Sequence, residues 1–125
     1  MSMTIQISEA EALVMEVLWG RHPQGADEIC AALAAQQWQD ATVKTLLNRL
    51  LNKGAVSAEK DGRRYLYAPL LKREQWLESE SKGFLDRMFN GKVAPLVAHF
   101  SRHRKLSKSD IAELKRLIEE LDDGK

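Results

Sequence analysis

Five side chains crowd one short stretch of the chain: Thr42, Lys44, Thr45, Asn48 and Arg49. No acid lies among them, and none is paired with a base that would make it a nucleophile. What they share is hydrogen-bond donation and positive charge, the chemistry that suits phosphate oxygens and the edges of nucleobases. A second group follows at Lys60, Arg63 and Arg64, around the dipeptide Asp61-Gly62. Cations on an exposed turn neutralise phosphates without reading sequence.

No other cluster competes as a reactive centre. The chain has no phosphate-binding glycine loop, nucleophile elbow or metal-ligand signature, so it reads as a non-enzyme with no cofactor and no resident metal. His99 and His103 stand four residues apart and could turn two imidazoles toward one ion, but no Cys or clear acid completes a set. A solvent-facing or interface pair is the better reading. Cys30 is the one cysteine of the chain, so it can neither staple the fold internally nor build a cysteine cluster. It falls on an apolar helical stripe and reads as a small buried hydrophobe. Trp19, Trp38 and Trp76 read as packing residues.

The net charge is only +1, but it is unevenly spread. Residues 1–39 carry −4, 40–73 carry +5, 74–106 carry +2 and 107–125 carry −2. A central basic stretch is the footprint of an anionic partner. No apolar run approaches the roughly 20 residues that span a bilayer, and the start lacks a signal-peptide pattern. With a single cysteine, a reducing cytoplasm is the expected compartment, and no membrane is a partner.

Periodicity supplies the elements that must hold these groups. Ser8 and Glu11 form a capping box for a first helix, with Ala10, Leu13, Val14, Val17 and Leu18 on one face and Gly20 as its stop. Residues 21–25 read as a loop. A second helix is expected over 26–37, with Ala26, Ile29, Cys30 and Leu33 inward. A third runs from an Asp40 N-cap to Gly54, with Val43, Leu46, Leu47, Leu50 and Leu51 on one arc. Its opposite arc holds the five donors and Asn52. An ordinary surface helix mixes Glu with Lys for support at i, i+4; this arc forgoes it. A hairpin follows, with strands over 56–60 and 63–68 and an Asp61-Gly62 turn.

Three helices and a hairpin make a winged helix-turn-helix, with the third helix free for the major groove and the hairpin as wing. The expected fold is mainly α, with a DNA-binding domain over 1–71 and a helical dimerisation arm over 72–125. A winged helix that binds protein would carry an acidic or apolar outer face instead. The arm reads as three helices: one from about residue 72 to 90, one with Pro95 in its first turn, and one opened by Ser107 with Asp110. Trp76, Phe84, Leu85, Met88, Phe89, Leu96, Val97, Phe100, Ile111, Leu114, Ile118 and Leu121 are too much apolar surface for three short helices to bury alone. They are assigned to a homodimer interface.

The chain resembles the penicillinase-repressor family, the BlaI/MecI type with its copper-responsive CopY branch. The resemblance is carried by Ile7-Ser8-Glu9-Ala10-Glu11, by Thr42-Val43-Lys44-Thr45-Leu46-Leu47-Asn48-Arg49-Leu50, by Lys60 to Tyr67, by Leu96-Val97-Ala98-His99-Phe100 and by Ile111-Ala112-Glu113-Leu114. It implies a dimeric repressor of inverted-repeat operators in double-stranded DNA, linked to antibiotic resistance and released when a sensor-protease pathway leads to cleavage in the arm. The family's scissile bond joins Asn to Phe; here the matching pair is His99-Phe100, with the Phe kept and the Asn replaced. The paired Cys-x-Cys motifs of the copper branch are absent. A ligand- or metal-responsive regulator not controlled by proteolysis therefore stays open beside the proteolytic one.

Overall fold

The structure is a computed structural model, and it describes residues 5–123. The chain forms two compact units, one ending at Ser79 and one beginning at Glu80.

The first unit opens with α1 (Glu9–Gly20). Its capping box is formed: the Ser8 amide donates to Glu11 Oε1 at 2.8 Å, and the Glu11 amide donates to Ser8 Oγ at 3.1 Å. Strand β1 (Gln24–Gly25) leads straight into α2 (Ala26–Ala32). A 3-10 turn over Ala34–Gln36 then replaces the end expected for the second helix, and Gln37 in the left-handed region closes it (φ 59°). Helix α3 spans Asp40–Lys53. Its N-cap is Gln39, one residue before the expected Asp40, and Asp40 instead puts its charge in the first turn, where the helix dipole favours it. Gly54 ends the helix at φ 79°, a conformation that a Cβ disfavours.

Strands β2 (Val56–Asp61) and β3 (Arg64–Pro69) pair antiparallel, with Val56 opposite Pro69 and Asp61 opposite Arg64. The turn is therefore Gly62-Arg63, one residue beyond Asp61-Gly62, and Gly62 takes the positive φ of 66°. The segment expected to be a plain loop supplies β1, which pairs with β3 at Gln24–Tyr67 and Gly25–Leu66. The sheet order is β1-β3-β2.

The core lies between the helices and the root of the sheet: Val14, Met15, Leu18, Ile29, Leu47 and Leu50 are fully enclosed. All but Met15 come from the apolar arcs that periodicity marks; on α1 the buried face is turned so that Met15 is enclosed while Leu13, expected inward, is exposed. Trp76, assigned above to the arm's interface, packs instead on Trp19 with ring centroids 5.4 Å apart. The Trp19 indole donates to the Leu71 carbonyl at 2.8 Å, and Arg73 binds Glu16 at 2.9 Å. These contacts bring the start of α4 (Arg73–Phe89) into the first unit, so the division falls after Ser79 rather than after residue 71.

The second unit holds the rest of α4, then α5 (Val93–Arg102) and α6 (Lys108–Asp123). Ser107 and Asp110 cap α6 reciprocally, at 3.1 and 3.0 Å. None of its described apolar side chains is buried: Phe84, Met88, Phe100, Ile111, Ile118 and Leu121 are exposed, and Leu85, Phe89, Leu96, Val97 and Leu114 are half-buried.

Candidate nucleic-acid interface

Helix α3 is sharply two-sided. Val43, Leu46, Leu47 and Leu50 are buried, while Thr42, Lys44, Thr45, Asn48, Arg49 and Asn52 are exposed. Among the described residues, neither Lys44 nor Arg49 has an ion-pair partner. The Thr45 hydroxyl donates to the Ala41 carbonyl at 2.9 Å, and the residue stays exposed.

Two supports that residue spacing does not announce brace the unit, one of them at this helix. At its C-terminal end, Lys53 Nζ sits 2.6 Å from Glu11 Oε1 and donates to the Gln6 carbonyl at 2.9 Å. Glu11 is only 2% exposed. Burial alone pushes its carboxyl up; the Lys53 ammonium and the Ser8 amide and hydroxyl outweigh that and hold it below the usual carboxylate range. On the other flank, the buried Gln24 side chain donates to the Val17 and Arg21 carbonyls at 3.1 and 2.6 Å, which caps the end of α1 and fixes β1.

The wing tip is exposed at Lys60, Arg63 and Arg64. The three are not equivalent. Lys60 and Arg63 have no ion-pair partner among the described residues, whereas Arg64 Nη1 lies 3.6 Å from Asp27 Oδ1 and 3.5 Å from Glu28 Oε1. Glu28 also accepts the Gly25 amide at 2.8 Å. A Cβ on Gly25 would meet the ends of the Asp27 and Arg64 side chains at 2.8 and 3.0 Å, so a larger residue there would displace this ion pair. Between α2, α3 and the wing is a hollow of about 490 Å³. Lys44, Asn48, Arg63, Tyr65, Tyr67 and Cys30 are among its lining residues. Burial pushes the Cys30 thiol up and the nearby Asp40 carboxylate adds to this, which disfavours the thiolate.

The arm's candidates belong to the second unit. His99 and Phe100 lie inside α5, and both are exposed. The His99 and His103 rings are 4.4 Å apart, and His103 Nδ1 is 2.9 Å from the His99 carbonyl. Among the described residues, no group of three or more His, Cys, Asp or Glu could hold a metal ion. No described helix is long and apolar enough to cross a membrane.

A family model described as Penicillinase repressor matches residues 7–120. The chain belongs to the penicillinase repressor family. The Penicillinase repressor of Bacillus licheniformis is 35% identical over 116 residues, which is 92% of this chain and 91% of that one. The Methicillin resistance regulatory protein MecI of Staphylococcus aureus (strain N315) is 30% identical, over 92% of this chain and 94% of that one. The solution structure of monomeric Bacillus licheniformis BlaI in complex with the blaP half-operator matches with a TM-score of 0.51 at 35% identity, covering 58% of this chain and 90% of that one. Penicillinase repressors are DNA-binding transcriptional repressors, not enzymes, and this chain is one of them.

Proposed function

We propose that the chain is a homodimeric repressor that grips an inverted-repeat operator, with α3 in the major groove of each half-site and the wing on flanking phosphates. The observation that carries this reading is the acid-free outer face of α3 from Thr42 to Asn52, exposed beside a basic wing. Lys44 and Arg49 have the reach for phosphates or guanine edges, Asn48 suits an adenine edge, and the Thr45 methyl suits thymine. Thr42, Lys60, Arg63 and Arg64 set the register on the backbone.

The apolar arm supports pairing, since a lone chain leaves Met88 64% and Leu121 75% exposed. A twofold axis would place two copies of α3 about 34–36 Å apart, or a multiple of that, to match a palindrome. Cleavage at His99–Phe100 would part the end of α5 and all of α6 from the rest and so unpair the arms. The bond lies inside a helix, so α5 must open locally before a protease can take it as extended chain. The hollow beside the wing favours a second route to release, in which a ligand seated there displaces DNA with the chain left intact.

Footprinting on the DNA upstream of the gene should reveal a protected inverted repeat. On that duplex Arg49→Ala should weaken binding by about 1–3 kcal/mol, roughly 5- to 150-fold. Unchanged affinity would refute the reading face. Mass spectrometry of the protein after induction separates the two routes of release: fragments ending at His99 against an intact chain.

A further inference from the structure

The arm contains a longer acid-free stretch than the reading helix does. Between Asp86 and Asp110 there is no Asp or Glu, while Arg87, Lys92, Arg102, Arg104, Lys105 and Lys108 all fall there. All six are exposed, and none has an ion-pair partner among the described residues. Elsewhere in the same unit Lys82 pairs with Asp86 at 2.9 Å and Arg116 with Glu113 and Glu120, and acids lie among the bases on α6.

Helix-end electrostatics account for only part of this band. Cations in the last turn of α5 complement its dipole, but that effect fades within a turn. Lys108 opens α6, the end where a cation is disfavoured. The turn between the helices is also built around an unusual choice. Lys105 N donates to the Phe100 carbonyl at 2.8 Å and Arg104 N to the Ser101 carbonyl at 3.2 Å, the bond pair of a Schellman motif. Its left-handed position, where glycine is the usual residue, is held by Arg104 at φ 55°. Arg104 therefore carries a charge at a position of backbone strain.

We infer that this band, centred on Arg102, Arg104, Lys105 and Lys108, is a second phosphate-binding surface that engages duplex DNA outside the operator. The inference rests on the repressor reading above. Duplex DNA is the one long polyanion that reading already supplies, and contacts of this kind carry no sequence information but add affinity and a steep salt dependence.

The test titrates the full chain at several salt concentrations against two duplexes: the footprinted inverted repeat alone, and the same repeat extended by several helical turns on each side. The variant is Arg102→Gln/Arg104→Gly/Lys105→Gln, in which glycine relaxes the strained turn and so protects the fold. Each lost phosphate contact should flatten the plot of log affinity against log salt by about 0.9. The expected result is a loss of about one to three units on the long duplex and none on the short one. The charge-conserving Arg102→Lys/Arg104→Lys/Lys105→Arg should keep the wild-type slope. An unchanged slope on the long duplex, with operator binding intact, overturns the inference alone; so does an equal loss on both duplexes. Charge-dependent binding to phosphatidylserine vesicles with unchanged DNA slopes overturns it in favour of an anionic membrane. Failure of the wild type to bind either duplex would sink the repressor reading as well.

Discussion

The two units bury their apolar residues in opposite ways. In the first, Val14, Met15, Leu18, Ile29, Leu47 and Leu50 are completely enclosed. In the second, residues of the same kinds lie half or fully exposed along three amphipathic helices. The first is a fold that closes on itself. The second leaves its apolar stripes uncovered, the surface that the proposed dimer would bury. On the proposed dimer, one chain would separate two tasks: a first unit, the platform, that aims side chains, and an arm whose pairing could be made or broken while the first unit stays folded.

The comparison can be broken most forcefully from inside the platform. Leu47→Ala should cost about 2–5 kcal/mol, read as a fall in melting temperature that does not depend on protein concentration. The arm should respond differently. Ile118→Asp puts a charge on an exposed stripe, so the first unit should keep its own melting transition while the dimer weakens by about 2 kcal/mol or more, some 30-fold in its dissociation constant by analytical ultracentrifugation. If that variant instead unfolds the first unit at every concentration, the division of labour is wrong.

Smaller changes sharpen the picture of the platform. Lys53→Met strands the Glu11 carboxylate and should cost about 1–3 kcal/mol; the effect is held down because the Lys53 side chain is 37% exposed and water screens it. The same pair sets a pH dependence. Glu11 in the folded chain has a pKa below its ordinary value, so the unfolded chain takes up the proton first. Its contribution is complete above the ordinary carboxyl pKa of 4.5 and is lost as pH falls through the lowered folded value. Glu11→Gln should flatten that acid limb in denaturant titrations. The smallest effect is expected at the wing: Asp27→Asn loosens an exposed tether to Arg64 and should shift stability by less than about 0.5 kcal/mol.

What could be read early was what is local. The arc of Val43, Leu46, Leu47 and Leu50, the donors opposite it, the stop at Gly54 and both reciprocal caps follow from spacings of three and four residues, which a helix turns directly into faces. Strand β1 escaped because two residues, Gln24 and Gly25, are too few to show a period; only their pairing with Tyr67 and Leu66 makes them a strand. The wing turn slid by one residue because ladder register, not the Asp-Gly preference, chose it.

Spacing along the chain was enough for the position of most helices, for the two-sidedness of α3 and for the basic character of its outer face, since each depends on near neighbours. Only the packing of elements on one another settled that Lys53 would meet Glu11, that Arg64 would be shared with Asp27 and Glu28 while Arg63 has no ion-pair partner among the described residues, and that Trp76 would join Trp19. Those partners lie tens of residues apart. No periodicity links them, and only the packing of one element on another brings them within reach.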